Sequence, residues 1–250
     1  MTDVMILRAE RWLDVVAGEV RGPGVIVIDG NRIVGVNPDE LPTTATEIDL
    51  GDVTLLPGLM DMELNMLIGG PGGPDGLPDP MHGVKDSPVY RTLRGAVNCN
   101  TTLMAGFTTV RNLGLMVYTA GFLLDVDLAK AVDQGWFPGP RIFPAGHAIT
   151  PTGGHLDPTM FQGLAPGIMP QSVESGIANG VSEVRKSVRY QMKYGAKLIK
   201  ISASGGVMSF SSAAGAQQYS DEELAAIVDE AHRNGLRVAA HAHGDAGIRA

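Results

Sequence analysis

An α/β chain, in which parallel βαβ units follow a small N-terminal β-sandwich, is the fold class that the sequence predicts, and three observations carry it. Beyond residue 54, five β-patterned runs alternate with helical patterns at the spacing of parallel βαβ units. Before residue 54, short β-branched runs are divided by Gly, Pro and Asn turn signals, with no helical period. The polar residues able to do chemistry gather at the C-terminal ends of the five runs, which is where a (β/α)8 TIM barrel keeps its site. The expected organisation is residues 1–54 as the N-terminal part of a β-sandwich and residues 55–250 as the first five strands of the barrel. A closed barrel needs three more strands, and a half barrel would leave two apolar edges open. The expectation is therefore the N-terminal portion of a longer protein.

In the sandwich segment the β patterns fall at 4–7, 25–28, 32–36 and 47–50, with turns at Gly22-Pro23-Gly24 and Asp29-Gly30-Asn31. Residues 55–66 read LLPGLMDMELNM. Here Asp61, Glu63 and Asn65 alternate at period two among Leu and Met, the pattern of a buried strand with polar groups on one face. Burying carboxylates is costly unless they are paired, hydrogen-bonded or metal-bound. That leaves a hydrogen-bonded strand end or a site as the two readings. Residues 69–86 are too rich in Gly and Pro for regular structure, and a loop of that length is usually functional or mobile. His82 within it reads as a solvated surface group.

A helix is predicted from Ser87 to its stop at Gly106, then a strand over 107–113, FTTVRNL, and a helix over 123–135. A third strand over 141–149 is interrupted by Pro144 and leads into Thr152-Gly153-Gly154-His155. Residues 156–180 read as irregular and 181–194 as helical. In the fourth strand Leu198, Ile199 and Ile201 crowd Lys200, so its ammonium must be paired, deprotonated or modified; Lys197 reads as an exposed strand-end charge. Ser220 and Glu223 form a capping box for a helix running to Gly235, with His232 placed to suit the helix dipole in its last turn. The fifth strand delivers His241-Ala242-His243, two imidazoles on one face, a common metal or substrate arrangement.

Composition sets outer limits. With 44% hydrophobic residues and 18% charged, the 250-residue chain can bury a core. A net charge of -8 argues against nucleic-acid or anionic-membrane partners, which reward a basic face. Cys99 is the one cysteine and reads as a small core residue, so no internal disulfide forms. The N-terminus lacks the charge pattern of a signal peptide, and no run is long enough to span a bilayer. A cytoplasmic protein, forming a homo-oligomer and acting on a small molecule, is expected.

The strand motifs resemble the amidohydrolase superfamily, in particular the subgroup of Xaa-Pro dipeptidases and imidazolonepropionase-like enzymes. Pro57-Gly58-Leu59 followed by Asp61-Met62 looks like the start of that family's first barrel strand, whose His-x-His is here Glu63-x-Asn65. Its second strand often ends in Arg-Asp; here Arg111 precedes Asn112. The Thr-Gly-Gly-His turn, the Ile-Lys-Ile strand entering Ser-Gly-Gly and the His-x-His of strand five are similar as well. The resemblance implies that Lys200 is carbamylated and bridges metals, that His241 binds metal, and that His147, His155 and His243 approach the substrate. It further implies hydrolysis of a C–N bond, in an amide, dipeptide or N-acyl amino acid, by a metal-activated water, with Lys200 and His243 catalytic and Arg111 or His243 receiving a substrate carboxylate. The metal set expected is Glu63, Asn65, Lys200 and His241 around one or two divalent ions, zinc on ligand type, with cobalt or manganese as alternatives. Two oxygen ligands in place of imidazoles open two other readings: a mononuclear carbamate or urea hydrolase with an apolar pocket of Met62, Met66, Met208 and Phe210, or a non-catalytic barrel that has lost its metal.

Overall fold

The computed structural model of the chain describes residues 4–68, 85–115, 119–159, 167–207, 209 and 213–250. The chain divides into two compact units, Met1–Leu59 and Met60–Ala250.

The N-terminal unit holds two sheets. In the first, β1 (Val4–Ala9) pairs antiparallel with β4 (Gly24–Asp29) and parallel with β6 (Thr46–Asp49), while β4 also pairs with β5 (Arg32–Val36). Ile6 sits opposite Val27, and both are buried. The second sheet joins β2 (Arg11–Asp14), β3 (Glu19–Arg21) and β7 (Thr54–Leu55). Strands β2 and β3 carry no alternating apolar signal that would have marked them in the sequence. Pro57-Gly58 separates β7 from β8 (Leu59–Leu64), so the 55–66 run is two strands in two sheets rather than one.

The larger unit alternates strand and helix. After β8 come α1 (Pro88–Met104), β9 (Phe107–Asn112), α2 (Leu124–Asp133), β10 (Arg141–Pro144), α3 (Gly180–Lys193), β11 (Ile199–Ser202), α4 (Asp221–Arg233), β12 (Val238–His241) and the short α5 (Gly244–Arg249). Ser87 accepts the Tyr90 amide and Pro88 occupies the first turn, which fixes the start of α1. The Ser220–Glu223 capping box forms in full at α4. His232 lies exposed in the last turn of α4.

Strands β8, β9 and β10 are neighbours in one sheet, and β11 pairs parallel with β12. The two sheets are stitched by a parallel bridge between Ile149 and Ile201, with Ile149 N–H donating to Lys200 O at 2.8 Å. Five strands therefore follow one another in sequence order. Pro144 ends β10, and residues 145–150 continue it only through isolated bridges, because proline cannot donate to the ladder.

Two apolar clusters pack strands against helices. Val110, Ile142 and Leu115 meet Cys99, Leu124 and Leu128, while Ile199 and Ile201 meet Val184, Val188, Leu224 and Ile227. A third, small cluster of Leu113, Ala145 and Leu198, with Ala239 against it, lies on the opposite face of the strands. Strand β8 departs from the buried strand expected: Met60 is 67% exposed and Met62 40%, as suits the outer strand of its sheet. Burial raises the Cys99 thiol to about 12, so it is an inert core group. Among the described residues no helix is long and apolar enough to cross a membrane.

Candidate functional site

Alternation along β11 puts Leu198, Lys200 and Ser202 on one face, opposite the helix-facing Ile199 and Ile201. Register then sets Lys200 beside Ala239 and Ser202 beside His241, so Lys200 and His241 rise from the same face. The Leu113–Ala145–Leu198–Ala239 layer lies one step beneath them.

Lys200 is 4% exposed, and its Nζ donates to Glu63 Oε1 at 3.0 Å. Strands one and four of the series thus meet through side chains 137 positions apart. The ammonium is buried and the carboxylate side chain is 67% exposed, so the pair opens to water on the Glu63 side. Gly114, at φ +91°, gives Lys200 its room: a Cβ there would stand 3.1 Å from Lys200 Cγ and 2.8 Å from Ala148 Cβ.

Three imidazoles stand in a row above this pair. The ring centroids of His155 and His241 are 4.1 Å apart, and those of His241 and His243 4.7 Å. Desolvation first, then the neighbouring imidazoles and Lys200, pull His155 down to about 4. The same causes lower His241, and both rings are neutral near pH 7. The Gly205 backbone opposes that lowering, and His241 Nε2 is buried without a partner. Asn65 Oδ1, an acceptor, is likewise buried without a partner. Two orphaned polar atoms cost free energy in a site of this kind unless a partner meets them.

Glu63, Asn65 and His241 supply a carboxylate, an amide oxygen and an imidazole nitrogen, donor types that suit one divalent cation, while the Lys200 ammonium as it stands has no lone pair to offer. No group of three or more His, Cys, Asp or Glu able to hold a metal occurs among the described residues.

The loop carrying His155 is fixed by its glycines. A Cβ on Gly154 would overlap Thr150 Oγ1 at 2.2 Å, and one on Gly206 would overlap the His155 ring at 2.3–2.7 Å. The His155 amide donates to Gln218 Oε1 at 3.0 Å, and its Nδ1 lies 2.8 Å from Ser209 Oγ. His243 is the exposed N-cap of α5, with its amide donating to Ser204 Oγ at 2.7 Å.

Two expected substrate residues lie elsewhere. His147 is fully buried, with Nε2 2.7 Å from Thr119 Oγ1 and its amide donating to Gln191; burial lowers it to about 4. It holds the chain after β10 and presents no surface to a ligand. Arg111 faces Phe143 in register, one strand period below Leu113 and so about 7 Å farther from the site end. The structure does not bring it to the Lys200 cluster. Met66 is 1% exposed in the helix-facing core, which removes it from any apolar pocket; Met208, Phe210 and His82 lie outside the described residues.

Sequence reading missed a buried clamp. Asn112 Oδ1 accepts the Met66 amide at 2.8 Å, and its Nδ2 donates to Asp125, which also accepts the Gly146 and Val126 amides. Asn98 takes the Met66 carbonyl at 2.7 Å. The end of β8, next to Asn65, is thereby tied to the ends of β9 and β10.

Known proteins resemble this chain in sequence and fold. The amidohydrolase family model matches residues 54–250. Ochratoxinase of Aspergillus niger is 38% identical over 206 residues, 78% of this chain and 40% of that protein. A crystal structure of a Xaa-Pro dipeptidase with methionine bound superposes with a TM-score of 0.86 at 34% identity, over 99% of this chain and 58% of the other. The crystal structure of Aspergillus niger ochratoxinase gives 0.79 at 30% identity, over 99% and 57%. The chain therefore spans about two fifths of the curated relatives it matches, and by the family-model match over residues 54–250 it belongs to the amidohydrolase family.

Proposed function

We propose that the protein is a metal-dependent hydrolase of a C–N bond in a small amide-like substrate, a dipeptide or N-acyl amino acid. The observation that carries this is the joining of Glu63, Lys200 and His241 at the C-terminal ends of their strands, with two buried polar atoms left open. The relatives named for ochratoxin and Xaa-Pro dipeptide substrates support the amide class. Their length supports a (β/α)8 barrel whose first five strands are β8 to β12, behind a β-sandwich that begins with residues 1–54.

Glu63, Asn65, Lys200 and His241 would hold the cation, with zinc favoured by imidazole and carboxylate donors. When bound, it supplies Lewis acidity and a water of lowered pKa. The oxygen-rich set supports one ion rather than two. Carbamylation of Lys200 belongs to the metal-loaded state alone, since a carbamate would set a second anion against Glu63 where the ammonium now stands 3.0 Å away. His155 and His243 line the open side and orient the substrate. A cytoplasmic location and a homo-oligomeric state complete the proposal.

Metal analysis of the full-length protein tests it. About one divalent ion per chain is expected in the parent, and Glu63→His with Asn65→His should raise the stoichiometry toward two. A parent that carries no metal and gains none on dialysis against zinc, cobalt or manganese would remove the hydrolase reading.

A further inference from the structure

We propose that Ser209 is a positioning residue that sets the tautomer of His155, so that this imidazole presents Nε2–H to the substrate. Ser209 Oγ accepts the Gly206 amide at 3.0 Å and lies 2.8 Å from His155 Nδ1. A hydroxyl has one proton to give, and among the described residues Nδ1 is the acceptor bonded to it. Donation from Ser209 to Nδ1 pairs the hydroxyl proton with a protein acceptor while Oγ receives the Gly206 amide, whereas the reverse tautomer leaves that proton to solvent. Nδ1 is then an acceptor, and the proton of the neutral ring sits on Nε2.

The rest of the seat prevents the ring from turning over. Gly206 packs so close that a Cβ would stand 2.3 Å from His155 Cε1 and 2.5 Å from Nε2. The His241 ring is 4.1 Å away, and Gln218 fixes the His155 amide while also receiving the Ser202 hydroxyl. An Nε2–H donor has no lone pair for a metal. It suits an oxygen, and within the hydrolase reading, on which this consequence rests, that oxygen is the carbonyl of the scissile amide.

The test is a long-range 15N–1H correlation spectrum of the histidine rings in the labelled full-length protein at pH 7, with His155 assigned from a His155→Gln spectrum. The parent should show Nε2 protonated, Ser209→Ala a mixture of tautomers, and Ser209→Thr, which keeps the hydroxyl, the parent pattern. With a hydrolysed substrate, kcat should fall about tenfold in Ser209→Ala with a smaller change in KM, and recover in Ser209→Thr. Protonated Nδ1 in the parent, an unchanged pattern in Ser209→Ala, or an unchanged kcat would overturn the assignment. A parent with the Nε2–H pattern that cleaves no amide counts against hydrolysis and supports the tautomer.

Discussion

Gly114 shows how much of the site depends on one missing side chain. Its φ of +91° is open to glycine at little cost, and the space above it is taken by Ala148 and by the stem of Lys200. Gly114→Ala is expected to cost about 2–5 kcal/mol, from left-handed strain of about 1–2 and overpacking of about 1–3. Because the new methyl would push on Lys200 Cγ, the variant should also lose metal affinity; chemical denaturation and metal titration check the two parts. A change below 1 kcal/mol with metal binding intact would show that Lys200 does not need this space. In the sequence Gly114 reads only as a strand stop. Lys200 was legible, because three aliphatic neighbours force the question of how its charge is met. Ser209, Gln218 and Asp125 were not, since a hydroxyl, an amide or an acid in a polar stretch carries no sign of what the fold sets beside it.

At the scale of elements, caps and glycine stops placed α1 and α4 to within a residue or two, because those signals act over one turn of chain. The grip between α3 and α4 was invisible for the opposite reason. Arg185 and Arg189 on α3 reach Glu230 on α4 at 2.7–3.1 Å, and Arg185 also reaches Asp229 at 2.7 Å, yet all four read as ordinary solvent-facing helix residues. The two guanidiniums, Arg189 foremost, hold the Glu230 carboxyl down to about 2. A depressed acid contributes stability above its unfolded pKa of about 4.5 that is lost as pH falls toward 2. Glu230→Gln should therefore lower stability at pH 7 by about 1–2 kcal/mol and narrow the gap to the parent below pH 4. Urea midpoints at pH 7 and pH 3 decide it, and an equal gap at both would show that charge is not what joins the helices.

For the whole molecule, strand order was legible from the spacing of apolar runs, while the exposure of β8 was not, because a pattern of Leu and Met does not say whether a neighbour covers it. What locks the strands into one frame is the Asn112–Asp125 clamp, and it leaves a pH signature. Asp125 is fully buried, and desolvation outweighs four hydrogen bonds to raise it from 3.8 to about 6. A raised acid stabilises the fold below its unfolded pKa and loses that contribution as pH rises through about 6, a swing of about 3 kcal/mol. His147 and His155 act in the opposite sense. Each is depressed from 6.5 to about 4, so each stabilises above 6.5 and loses that as pH falls, again by about 3 kcal/mol for the fully buried His147 and less for the partly open His155. Two imidazoles outweigh one carboxyl, so net stability should fall on acidification from pH 7 to 4.5. Asp125→Asn removes the opposing contribution while leaving one acceptor for the Asn112 and Gly146 donors. Its stability should therefore drop more steeply than the parent's over that interval, with the two curves nearest at pH 7 and about 2 kcal/mol farther apart at pH 4.5. Denaturant midpoints at pH 7, 6 and 4.5 measure the gap. Parallel curves would mean that Asp125 stays charged, and that the ends of β8, β9 and β10 are held together by a carboxylate rather than by a carboxylic acid.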